Sequence, residues 1–209
     1  MKHYKSFKVT QLYLLVYLSL LAFPVWADTP IVLIKSAVDQ AIKTLTDPYF
    51  QGEDKEEERR TLLRQILLPR FDFREMAKRS LGTHWLKRTR EDKSEFVRLF
   101  TNFVEKVYLG RIESYNNGEK FIYANERIEG PNAEVRSKIL TSKGEEFQIT
   151  YKRHRVGKEW KIYDVVVENI SLINNYRSQF NRIITKTSYD ELVSMMRQKL
   201  SKTTKKRDG

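Results

Sequence analysis

The residues of this chain that could do chemistry are few and badly spaced for it. His84 and His154 have no His, Cys or acidic neighbours at metal-ligand spacing, and His3 falls in an N-terminal segment that is expected to be removed, so nothing is placed to hold a zinc-bound hydroxide. The chain has no cysteine, which argues against a thiol nucleophile, a disulfide scaffold or lipid anchoring through an N-terminal Cys. A Gly-x-Ser-x-Gly elbow, the strained turn that exposes the serine of many lipases, is missing. So are the glycine loops that cradle phosphate. The acids from Glu53 to Arg60 read as a solvated helix start near the positive end of the helix dipole. Asn169-Ile170-Ser171 matches a glycosylation sequon by chance. No catalytic residue and no metal ligand is assigned, and enzyme chemistry is not expected.

What the spacing does offer is apolar surface. Phe96, Phe100, Phe103 and Val107 recur at four, three and four residues, with Leu99, Val104, Tyr108 and Ile112 widening the stripe. This is the face of a long helix opening at Thr89, where Asp92 completes a capping-box-like start. Such a face is either an ordinary core or, in part, the wall of a cavity.

The elements that position this face follow from period and punctuation. Pro30 suits a first helical turn, Ile34, Val38, Ile42 and Leu45 continue it, and Asp47-Pro48 stops it. Leu62, Leu63, Ile66 and Leu67 give a second helix its buried side before Pro69. Asp72 is placed to cap a short helix carrying Phe73, Met76 and Ala77 to a Gly82 stop. After Asn116-Asn117-Gly118 the period becomes two. Four strands are predicted, Phe121 to Ile128, Ala133 to Thr141, Glu145 to Arg155 and Glu159 to Val167, joined by short turns into an antiparallel meander. Phe147, Ile149 and Tyr151 alternate with polar residues, so the third strand has one wet face. The fourth is apolar on both sides apart from Asp164, which needs a partner if it is covered. Two helices close the chain, with Leu172, Tyr176, Phe180 and Ile183 on one face and Leu192, Met196 and Leu200 on the other. Helices, sheet, helices make an α+β fold.

Location is legible at the N-terminus. Lys2, Lys5 and Lys8 precede an apolar run from Leu12 to Phe23, then Pro24 and Val25-Trp26-Ala27, the three parts of a secretory signal cleaved after Ala27. About a dozen apolar residues fall short of the ~20 a membrane-spanning helix needs. We therefore divide the chain into a signal peptide at 1–27, a single domain at 28–201 and a basic, disordered tail at 202–209. Removing the three signal lysines leaves 36 Lys+Arg against 27 Asp+Glu, a net +9 that favours anionic partners. Export makes nucleic acid the least suitable of these. A basic exported adaptor that binds acidic proteins without a ligand also fits this composition.

Two stretches go further: Phe71-Asp72-Phe73-x-x-Met76-Ala77-x-x-x-Leu81-Gly82-x-x-Trp85, and Trp160-Lys161-Ile162-Tyr163-Asp164-Val165 running into Ser171-Leu172-x-x-x-Tyr176-Arg177-x-x-Phe180. In this order and separation they resemble the MlaC family, periplasmic phospholipid carriers of Gram-negative bacteria once named for toluene tolerance. The resemblance implies a four-stranded curved antiparallel sheet packed with helices around a deep apolar lipid pocket, no cofactor, and phospholipid as cargo. It further implies a monomer working in the periplasm between an outer-membrane MlaA–porin complex and the inner-membrane MCE-domain subunit, MlaD, of an ABC transporter, which maintains outer-membrane lipid asymmetry. The implied pocket walls are Phe100, Phe103, Val104, Val107 and Tyr108 on the long helix. From the strands come Phe121, Tyr123, Val135, Ile139, Phe147, Ile149 and Tyr151. Two departures stand out: Asn169 occupies a place where many members have Gly, and Lys186-Thr187-Ser188-Tyr189 replaces a Gly-containing turn.

Overall fold

The computed structural model describes residues 29–113, 115 and 118–204. The signal peptide expected at 1–27 and the last five residues of the expected tail lie outside them. Six α-helices are present among the described residues: α1 (Pro30–Thr46), α2 (Glu56–Leu67), α3 (Phe73–Leu81), α4 (Arg90–Glu113), α5 (Leu172–Lys186) and α6 (Tyr189–Thr204). Five strands run in simple order, β1 (Lys120–Glu129), β2 (Asn132–Leu140), β3 (Glu146–Val156), β4 (Glu159–Val167) and β5 (Ile170–Ser171), each antiparallel to the one before.

Four of these strands match the period-two reading; β5 corrects it. Between β4 and the helix that begins at Leu172, the chain doubles back so that Ile170 and Ser171 pair with Val167 and Val166. The reversal needs two consecutive residues at positive φ, and Glu168 (48°) and Asn169 (65°) supply them. Asn tolerates this region better than most residues. α6 continues to Thr204, so residues 202–204 of the expected tail are helical.

The sheet is covered unevenly. On one face, α1 lays Ile31, Ile34 and Val38 over Val135, Ile162 and Val165. On the other, α3 and α5 lie against β4 and begin the main core, in which Met76, Ala77, Leu81, Trp85, Phe96 and Phe100 are buried with side chains of α5 and α6. The fourth strand is thus covered on both faces, as its composition requires. Asp164, buried between β4 and α5, accepts hydrogen bonds from the Ser171 hydroxyl (2.6 Å) and the Ile173 amide (3.1 Å). The Ser171 oxygen in turn accepts from the Asn174 amide and caps α5.

Asp72 caps α3 through the Glu75 amide (2.9 Å) and pairs with His154 of β3 (3.0 Å), while its own amide donates to the Ile162 carbonyl of β4. Thr89 and Asp92 make the reciprocal capping box that starts α4. Gly82 ends α3 at φ 56°, ψ −128°, a conformation that suits glycine alone, and the Arg177 side chain passes over it to reach the Arg79 carbonyl.

Candidate functional site

Register assigns the strand residues to one face. Phe121, Ile139 and Phe147 are direct cross-strand neighbours and form the outermost row. Two residues further along each strand, about 6.7 Å, lie Tyr123, Ser137, Ile149 and Val167. Beyond a bulge in β1 comes a third row, Glu126, Val135, Tyr151 and Val165. A bulge between Lys152 and Arg153, opposite β4, precedes the last, Ile128, Ala133, Arg153 and Ile162. Such bulges bend and twist the strands that carry them.

Exposure rises along this face on β2 and β3. Val135, Ala133 and Ile162 are buried beneath α1, whereas Ile139, Ile149 and Phe121 are half-buried and Phe147 is 39% exposed. The long helix makes its close backbone approaches to α2, α3 and α6. The result is an apolar floor three strands wide, sealed at one end by α1. Tyr115, just past α4, brings its ring to 6.5 Å from Phe121.

All seven strand residues named from the sequence share this face. The helix residues are divided from them. Phe100 and Phe103 stand edge-on to Tyr176, and Phe100 also to Phe180, inside the helical core with Val104. Val107 and Tyr108 are half-buried at the margin of that core. One face of α4 therefore does the ordinary work of a core helix, and the next residue round, Leu109, joins Ala41 and Leu63 in a separate cluster with α1 and α2.

Several polar groups on the floor escaped the sequence reading, although the same alternation that turns Tyr151 inward also turns Ser137 and Arg153 inward. Arg153 is buried, donates to the Pro30 carbonyl (2.6 Å) and to the Trp160 carbonyl, and is pulled down to about 10 by burial and by the nearby Arg70 charge. Glu126 accepts from the Ile31 amide (2.8 Å) and so supplies the first turn of α1 with the cap that Thr29 does not. These two groups lock α1 to the sealed end. Ser137 is 2% exposed, and neither its hydroxyl nor that of Tyr123 opposite has a hydrogen-bond partner among the described residues. Burial raises the pKa of both the Tyr123 and Tyr151 phenols, and for Tyr151 the neighbouring Ser137 hydroxyl works in the other direction. Among the described residues no group of three or more His, Cys, Asp or Glu side chains could hold a metal ion, and no helix is long and apolar enough to cross a membrane. The floor has the means to hold an apolar molecule.

Comparison with known proteins places this arrangement. A family model described as MlaC protein matches residues 35–198. The chain is 25% identical over 178 residues to the intermembrane phospholipid transport system binding protein MlaC of Haemophilus influenzae, covering 83% of each protein. It is 24% identical over 165 residues to the toluene tolerance protein ttg2D of Pseudomonas putida, covering 77% of each. Its fold superposes with a TM-score of 0.71 on a phospholipid-binding protein from Ralstonia solanacearum in complex with a phospholipid, at 24% identity, over 81% of this chain and 96% of that one.

Proposed function

Since this chain belongs to the MlaC family, we propose that it is a phospholipid carrier of the periplasm, exported by a signal peptide cleaved after Ala27 and composed of one lipid-binding domain at 28–201. The observation that carries the reading is the fold shared with nearly the whole of a protein that holds a phospholipid. Acyl chains lie over the apolar floor of Phe121, Ile139, Phe147 and Ile149. The head group stays near solvent beside the open row. The carrier takes lipid between an outer-membrane MlaA–porin complex and the MCE-domain subunit MlaD of an inner-membrane transporter.

The energetics explain why this work needs no catalyst. Exposing acyl chains to water costs ~0.8 kcal/mol per methylene, so the roughly thirty methylenes of two chains amount to about 20 kcal/mol for a lone lipid. A protein that replaces water around those methylenes removes most of that barrier by burial alone. The test is direct: the protein is expressed with its own leader, recovered from the periplasm and extracted, and the extract is analysed by mass spectrometry. Near-stoichiometric phospholipid is the expected result. Protein recovered from the periplasm without lipid, and unable to take any up from vesicles, would turn the reading to a ligand-free adaptor.

A further inference from the structure

A buried hydroxyl without a partner is costly, because folding strips its water and returns nothing. Here Tyr123 Oη has no partner, and Ser137 Oγ, facing it across β1 and β2, makes no bond of good hydrogen-bonding geometry beyond its approach to the Tyr151 phenol. Their side chains share one face of the sheet, and the Tyr151 phenol approaches Ser137 from the next strand. They form a polar step in an otherwise apolar floor. Its place is one row inside the half-exposed Phe121, Ile139 and Phe147, and one row outside Val135, which is sealed under α1.

We propose that the Tyr123 and Ser137 hydroxyls are a hydrogen-bonding subsite for the ester carbonyl oxygens of the bound lipid. This rests on the carrier reading above. A diacyl phospholipid carries its carbonyl acceptors a few bonds inside the phosphate, between charged head and hydrocarbon. The step occupies a boundary of the same kind, one row in from solvent, with Phe121, Ile139 and Phe147 outside it and Val135 inside. Both groups are neutral donors, matched to a neutral carbonyl; a phosphate brought to the same depth would lose its water with no cation among these hydroxyls to replace it. Burial keeps the Tyr123 phenol protonated, and therefore a donor, at every physiological pH. The inference makes the carrier selective for linkage chemistry, a property that burial of the chains alone does not confer.

The test uses the mature protein, equilibrated with vesicles holding equal amounts of phosphatidylethanolamine with two ester-linked hexadecanoyl chains and its counterpart with two ether-linked hexadecyl chains. The ether lipid keeps head group and chain length and lacks the carbonyls. The wild type should retain the ester form with a preference of about fivefold or more, the scale of one or two net hydrogen bonds. Tyr123→Phe and Ser137→Ala should each reduce that preference, and the double variant should abolish it. Thermal melting supplies an independent sign. In delipidated protein Tyr123→Phe should raise the melting temperature by removing an unpartnered hydroxyl, and with ester lipid bound it should reduce the stabilisation the lipid gives. Lipid taken up with no ester preference in the wild type, or a preference untouched in the double variant, would overturn the subsite and leave the carrier reading standing. A lower melting temperature for delipidated Tyr123→Phe would also overturn it, by giving the hydroxyl a structural partner. Uptake of neither lipid would remove the carrier reading and the subsite together.

Discussion

Single carboxylates hold this fold at its joints. Asp72 joins three elements at once, capping α3, pairing with His154 of β3 and donating its amide to β4. Asp72→Ala should lower stability by about 1–2 kcal/mol in a denaturant titration, the value of a cap with a half-buried pair added. Asp72→Ser, which keeps a capping oxygen and loses the reach to His154, should recover about half of that. Lipid retention should stay at the wild-type level in both, and its loss at unchanged stability would make Asp72 a ligand contact. Asn169 offers the opposite sign. At φ 65° its side chain gains little, and Asn169→Gly should stabilise the β4–β5 turn by about 0.5 kcal/mol. A lower melting temperature would show that the asparagine side chain holds the turn in some other way. The cap was legible because Asp followed three positions later by Glu75 is a local pattern. His154 was not, because it arrives from a strand 82 residues away.

Elements are tied by charges that work in sequence-local and long-range combinations. Within α3, Glu75 pairs with Lys78 (3.1 Å) and Arg79 (2.8 Å), and the Arg79 guanidinium lies 4.1 Å over the Tyr163 ring of β4. Burial pushes the Glu75 carboxyl up, but its bonds to Lys78 and Arg79 more than offset this and hold it below the ordinary glutamate value. A carboxylate whose folded pKa is depressed adds stability above its unfolded pKa and loses that contribution as pH falls through the folded value. Glu75→Gln should therefore cost about 0.5–1 kcal/mol at pH 7, and the difference from wild type should shrink to nothing as both are titrated below the carboxylate range. A constant difference down to pH 2 would mean the loss is one of packing. Between helices, the buried guanidinium of Arg60 meets Glu113 with two bonds of 3.0 and 2.7 Å and so fastens α2 to the end of α4. From the sequence, Arg60 belongs to a solvated acidic run, a reading correct for Glu56 and Glu57 and wrong for the one residue of that turn that faces α4.

At the scale of the whole molecule, charge and cavity have separate work. With residues 1–27 removed, as proposed, the chain carries a net +9 exposed to water and salt, whereas in the proposed carrier the acyl chains are held by burial that salt does not weaken. With a Debye length of about 8 Å at physiological ionic strength, raising salt should slow association of the mature protein with anionic vesicles. The amount of lipid that stays bound to the isolated carrier should not change. Stopped-flow association and lipid extraction across the same salt series give the two readings. Lipid released in moderate salt, with association unaffected, would reverse the assignment.

The sequence by itself determined the class of fold, the helices and four long strands, and the capping residues of α3 and α4. All of these rest on period and on turn chemistry, which act over a few residues. The family resemblance was legible for the same reason, since its motifs are the caps and core positions of single elements. The tertiary structure decided which apolar face meets which. Helical spacing makes Phe100 and Tyr108 equally apolar, and only the arrival of α5 and α6 puts Phe100 inside a core and Tyr108 at its margin. Strand alternation turns Arg153 and Ser137 inward alike. Only the position of α1 gives the arginine the Pro30 carbonyl and leaves the serine hydroxyl without a partner. Burial and hydrogen-bond satisfaction are properties of pairs of segments far apart in the chain, and no local pattern of residues specifies them.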